Sequence, residues 1–150
     1  MQENHYPKLA LSLFISFFVM YGVMFLNVDE LDHIYLSLTR LYMTLLMVSP
    51  MAIIMLIVMK KMYSNKMLNG AIIASSTIVF TLSLICLRTQ AFIGDTQYMK
   101  AMIPHHSSAI MTSTHAGIKN AEVRGLADSI IKSQRQEIQK MKSMLDKLDE

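Results

Sequence analysis

One cysteine, Cys86, is all the thiol this chain has. That excludes an intrachain disulfide and any Cys-x-x-Cys metal or redox motif. Near the end of an apolar run, a lone cysteine is a small hydrophobe before it is a ligand. Charge is scarce as well: 17% of residues are charged and the net balance is only +3. Neither an Arg-rich patch nor a basic run interleaved with aromatics occurs, so nothing points to nucleic acid. What the chain has instead is apolar residues, 53% with a mean hydropathy of +0.36, and 15 methionines. At 150 residues, that balance fits a membrane anchor plus a small module better than one ordinary domain. A thioether forms no disulfide, so methionine ligation survives in an oxidising compartment where thiolates would be lost.

Residues 9–28, 41–59 and 67–87 are apolar runs close to the length of about 20 residues that crosses a bilayer as a helix. Asn27, Asp29, Glu30 and Asp32 come at and after the end of the first run, with no small-residue cleavage site. It therefore reads as a retained membrane helix and not as a signal peptide. Pro50 is expected to kink the second run. Met43, Met47, Met51, Met55 and Met59 recur there every four residues. Each such step turns about 40° round a helix, so the sulfurs form a packing ridge in preference to a Cu(I) track. In the third run, Gly70, Ala71, Ala74, Ser75 and Ser76 suit close helix packing in lipid. Lys8, Lys60, Lys61 and Lys66 fall on one side of such an anchor and Arg40 on the other. The positive-inside rule then puts the N-terminus in the cytoplasm and the C-terminal module outside it. The connector from Asp29 to Arg40 is acidic at its start and contains His33. It is expected to be a solvated loop or a helix extension, with an accessory metal or proton site as the alternative.

Residues 89–150 make a second domain after the anchor of residues 1–88. Asp95, Met99, Met102 and His106 fall at i, i+4, i+7 and i+11, one face of a helix, with His105 beside Met102. Thioether and imidazole together suit copper or silver better than zinc; core filler and polar surface are the alternative. Asp95 is a candidate N-cap. Pro104 is expected to kink or break the helix just before the histidine pair, freeing backbone carbonyls. Gly117 to Asn120 marks a turn. A second helix then runs from about Ala121 to Leu148, with Leu126 or Ala127, Ile130, Ile131, Gln134, Ile138, Met141 and Leu145 on its apolar face. Glu137 borders that face. A buried carboxylate there needs a cationic or metal partner; the alternatives are solvent, Lys140 or Arg135.

The segments FIGDTQYMKAMIPHHSSAIMTSTHA and VRGLADSIIKSQRQEIQKMKSML resemble the ferritin-like helical-hairpin family known as DUF-305, whose CopM-like members bind copper and silver. The resemblance covers residues 92–148. It implies an all-helical, extracytoplasmic metal-binding module without established catalysis. Carried over by position, it implies Met99, Met102, His105, His106 and Met141 as ligands, with Asp95, Gln134 and Glu137 as polar residues of the pattern. Two positions depart from it. Thr112 stands where many relatives have Met, with Met111 before it, and Met144 stands where a Trp is common. Met111 and His115 face away from His106 on the helical wheel, so they would build a separate site or none.

The expected protein is all-α: three membrane helices, then an antiparallel hairpin that completes a four-helix bundle by self-association, as a dimer or higher oligomer. The expected function is Cu(I) or Ag(I) binding for copper tolerance or handling at the cytoplasmic membrane, with zinc less well matched. A metal-free interaction or sensor subunit is the first alternative. A ferritin-like di-metal oxidase is the weaker one, because such bundles need several inward carboxylates and Glu-x-x-His repeats. In the C-terminal module Asp95 and Glu137 are too few as inward carboxylates and no Glu-x-x-His occurs, so no catalytic residue is assigned.

Overall fold

The computed structural model describes residues 5–148. Residues 1–4, 149 and 150, which the two expected domains include at their ends, lie outside the described residues. Among the described residues there are five α-helices, one short 3₁₀ turn and no strand. The helices are α1 (Tyr6–Val23), α2 (Leu38–Val58), α3 (Lys66–Thr89), α4 (Asp95–His115) and α5 (Ala121–Leu148); the 3₁₀ turn is Leu31–His33. The chain forms two compact units. The described residues of Met1–Val23 join Thr39–Phe92 in one, and those of Met24–Leu38 join Ile93–Glu150 in the other.

The first unit holds α1, α2 and α3, which are 18, 21 and 24 residues long and apolar enough to cross a membrane. Each lies close to its expected span, but α1 stops at Val23 where 28 was expected. Apolarity runs past the helix end, so hydropathy alone overshoots. The chain leaves the helix because its next polar groups are bonded elsewhere. Asn27 Nδ2 donates to Ser108 Oγ at 2.7 Å, and the Asp29 N–H donates to Ser107 Oγ at 2.7 Å. Helix α2 continues through Pro50, whose ring nitrogen has no proton to give to the Leu46 carbonyl. A small core of Leu9, Leu56 and Tyr63 is flanked by Met55, Met59 and Ile72, while Met43 and Met47 are exposed. The methionine repeat thus splits between packing and outward-facing positions, as a ridge that turns round the helix must. Leu11, Phe14, Ile15 and Phe18 of α1 are all more than half exposed, the surface that lipid contact requires of a spanning helix.

Helix α3 starts at Asn65, whose side chain accepts from the Leu68 N–H at 3.0 Å, satisfying one orphan donor of the first turn. It ends at Gln90, which takes the left-handed conformation (φ 52°), and the N–H of Ala91 returns to the Cys86 carbonyl at 3.0 Å. This is the usual geometry of a helix stop, made here without glycine. Phe92 is also left-handed, at φ 59°, a costly conformation for an aromatic residue.

The second unit is the hairpin of α4 and α5 with the connector folded onto it. Asn120 caps α5, its Oδ1 accepting from the N–H groups of Glu122 at 2.9 Å and Val123 at 3.1 Å. Residues 116–120 make the turn, as expected. Arg124 Nη1 donates to the Ser113 carbonyl at 3.0 Å near the turn, and His106 meets Glu137 further along, so the helices run antiparallel. The core is Met99, Ile103, Ile110, Ile138 and Leu145, with Tyr35, Ile131 and Met141 packed on it. Ile103 and Ile110 are fully buried, each contributing about 1.5–3 kcal/mol by leaving water.

Two local expectations change. The N-cap of α4 is Gly94, and no side chain caps it; Asp95 is instead the first residue of the helix, where a negative charge favours the helix dipole. The buried face of α4 is Met99, Ile103, Ser107 and Ile110, rotated from the face of Asp95, Met99, Met102 and His106. Isoleucine gains more by burial than Met102 or His106, so Ile103 and Ile110 take the centre and push those two to its flank. Pro104 is buried and α4 continues through it.

Candidate metal centre

The structure sorts the candidate ligands into two places along the hairpin. The first is a groove of about 480 Å³ between the start of α4 and the end of α5. Asp95, Tyr98 and Met99 line it from α4; Met141, Met144 and Lys147 line it from α5. Three thioethers and one carboxylate therefore face a single open cavity. Met99 is at i+4 from Asp95, and Met144 is at i+3 from Met141, so each helix presents two donors one turn apart. Met99 is buried and Met141 is half-buried in the adjoining core, which fixes one side of the groove, while Met144 is 44% exposed on the other. Thioether sulfur without thiolate is the donor set that selects Cu(I) among the first-row metals. Lys147 is the one cationic member of the lining, and its ammonium lowers the net negative charge that Asp95 supplies.

The second place is midway along the hairpin. His106 Nε2 lies 3.0 Å from Glu137 Oε2, a contact from α4 to α5. Ser133 Oγ, one turn before Glu137, donates to its other oxygen at 2.8 Å. The Glu137 side chain is 49% exposed, the His106 side chain only 12%. Burial holds the His106 pKa below the usual imidazole value; the Glu137 charge opposes this and the neighbouring His105 adds to it. Burial thus favours the neutral ring, whose Nε2–H is placed to donate to Glu137. That leaves a lone pair on Nδ1, a buried atom with no hydrogen-bond partner among the described residues. A carboxylate that fixes the tautomer of an imidazole and frees its other nitrogen is how proteins orient histidine ligands. Gln134 Oε1, one turn before Glu137, is also buried without a partner. Buried acceptors of this kind call for a donor, a water or an ion.

Asp95, Met99 and Met141 thus come together, His106 and Glu137 come together elsewhere, and Met102 and His105 line neither place. His105 is exposed, its ring edge-on to His106 with 6.0 Å between centroids. Met102 is half-buried. His115 is exposed, and its Nδ1–H donates to the Met111 carbonyl of its own helix at 2.9 Å. Met144 enters the groove from the position where the resemblance placed a tryptophan. Ser133 as a partner of Glu137 was not singled out from sequence; its i−4 spacing was the available signal.

The connector is the larger surprise. His33 is buried at 6% exposure, where a solvated loop was the leading expectation. Its Nδ1 lies 2.9 Å from Ser107 Oγ of α4, and Lys142 of α5 pairs with Asp32. Glu30 and His33 stand at Glu-x-x-His spacing, a signal that was legible outside the module.

The domain model of DUF305, a domain of unknown function, matches residues 83–149. "Uncharacterized protein L153" of Acanthamoeba polyphaga mimivirus is 38% identical over 125 residues, covering 79% of this chain and 77% of the viral protein. Those 125 residues are more than 83–149 can supply, so the likeness takes in part of the apolar N-terminal half. No solved structure matches the chain. The chain belongs to the family of this viral protein, and its own match to the DUF305 model falls on α4, α5 and the end of α3.

Proposed function

We propose that the protein is a membrane-anchored binder of Cu(I), with Ag(I) as its congener, that serves copper tolerance or handling. The observation that carries this reading is the groove in which Asp95, Met99, Met141 and Met144 converge. Soft, uncharged sulfur matches a soft monovalent ion and matches Zn²⁺ poorly. His106, held by Glu137 with Nδ1 free, provides a second donor further along the same hairpin. It extends the ligand set beyond the groove, with the His105 ring edge-on to it at 6.0 Å between centroids. The module is read as extracytoplasmic, with the N-terminus in the cytoplasm, because Lys8 lies in the first turn of α1 and Lys60, Lys61 and Lys66 lie between the end of α2 and the start of α3. Methionine ligation suits that setting.

Elemental analysis of the purified protein, followed by anaerobic Cu(I) titration of the full chain in nanodiscs, tests the reading. Copper retention and tight Cu(I) binding are expected. Replacing Met99, Met141 and Met144 together by Leu keeps the groove apolar and removes its sulfur. Unchanged Cu(I) affinity in that variant would sink the assignment to the groove. Retained, redox-active iron would favour the oxidase instead, and a protein that takes up no metal would favour an interaction subunit.

A further inference from the structure

We propose that Glu30, Asp32 and His33 form a divalent transition-metal site, best matched to Zn²⁺, on the connector where it packs against the hairpin. It is separate from the thioether groove, in ligand type and in place. One ligand atom from each of the three residues lies within 4.8 Å of the others. His33 Nε2 faces Asp32 Oδ1 at 3.8 Å and Glu30 Oε2 at 3.9 Å. These are too long for hydrogen bonds, so a ring more than nine-tenths buried points its free nitrogen at two carboxylates without bonding either. Zn²⁺ takes imidazole nitrogen and carboxylate oxygen at about 2.0–2.2 Å, which sets tetrahedral ligands about 3.3 Å apart. Bringing each carboxylate to that distance from Nε2 takes about half an ångström, and the Glu30 and Asp32 side chains are 61% and 64% exposed.

The surroundings fit a held ligand. Ser107 Oγ is fully buried on α4 and receives the Asp29 N–H at 2.7 Å. It can also accept from His33 Nδ1, 2.9 Å away, because a hydroxyl oxygen has two lone pairs. With the proton on Nδ1, the Nε2 lone pair faces the carboxylates, which is the ligand form. Lys142 of α5 pairs with the other oxygen of Asp32, which leaves Oδ1 facing the His33 ring. No sulfur is among the three ligands, and imidazole with carboxylate suits Zn²⁺ where it does not suit Cu(I). Three protein ligands leave the fourth position to water.

The test is a Zn²⁺ titration of tag-free, full-length protein in nanodiscs against a chromophoric chelator. Glu30→Gln and the double variant E30Q/D32N change only exposed groups, so they keep the fold that His33→Ala puts at risk. One equivalent of Zn²⁺ is expected in the wild type, lost or weakened about tenfold or more in these variants; Ser107→Ala, which acts through the ring, should cost about 10–100-fold. Cu(I) affinity should stay unchanged in E30Q, and the triple Met→Leu variant should keep its Zn²⁺. Zinc binding by E30Q/D32N equal to wild type would overturn the site, whatever the outcome for copper.

Discussion

At the scale of single residues, His106 is the most informative group. Its pKa is lowered chiefly by burial, with the Glu137 charge working the other way. A lowered imidazole pKa means that the unfolded chain binds the proton more readily than the folded one. The stability this group contributes is therefore fully present above the ordinary value of about 6.5 and is lost as pH falls through and below it. NMR titration should find the His106 imidazole changing charge below that of a free histidine, and lower still in Glu137→Gln, where the opposing charge is gone. A value at or above the free one would refute the geometry. The same titration bears on metal, since only neutral imidazole coordinates and affinity should fall with pH over this range. Among the methionines, Met99→Leu and Met141→Leu should each weaken Cu(I) binding by about tenfold or more, or about 1.4 kcal/mol. Met111→Leu should matter little, because Met111 lines neither place. Anaerobic competition with a Cu(I) chelator reads all three.

At the scale of the element, the sequence showed most where a single physical signal dominates. Long apolar runs gave three helices of membrane length, and the 3.6-residue repeat gave α5 with its buried Ala127, Ile138 and Leu145. It showed less where two signals compete. On α4, the spacing of metal-binding side chains suggested one face, but the burial of Ile103 and Ile110 decided another. Residues 24–38 showed least, because their order comes from partners distant in sequence: Asn27 with Ser108, Asp29 and His33 with Ser107, Leu38 with Gln97. No local pattern encodes such bonds. The groove was half legible: Asp95, Met99 and Met141 were singled out, whereas Met102 and His105 were grouped with them by adjacency along the chain. The α4 packing makes its own prediction. Ile103→Ala should destabilise the hairpin by about 2–5 kcal/mol, while Leu126→Ala, at 63% exposure, should fall within about 0.5 kcal/mol. Chemical denaturation followed by circular dichroism separates the two.

At the scale of the whole molecule, each unit leaves apolar surface open. The hairpin has two helices, and Val123, Leu126, Met144 and Leu148 of α5 stay 44–63% exposed, with Tyr98 of α4 at 53%. Two helices cannot enclose a groove, so Met144 and Asp95 face solvent where a tightly held Cu(I) needs shelter. A second hairpin on this face would bury those side chains and build a four-helix bundle, whose sites lie between facing helices. Twofold pairing is the commonest closed arrangement, and it would bring two methionine grooves under one cover. The first unit offers a matching device of its own. Gly70, Ala71, Ala74 and Ser75 of α3 are exposed, and a Cβ added at Gly70 meets nothing within 4 Å, so that face is open to close approach by another helix in lipid. The expected outcome is a dimer or higher oligomer by mass measurement in nanodiscs. Leu126→Glu combined with Val123→Glu should shift it toward monomer and weaken Cu(I) binding in parallel. A strictly monomeric wild type that holds Cu(I) with full affinity would show that the groove needs no second chain, and would leave the exposed face of α5 to some other partner.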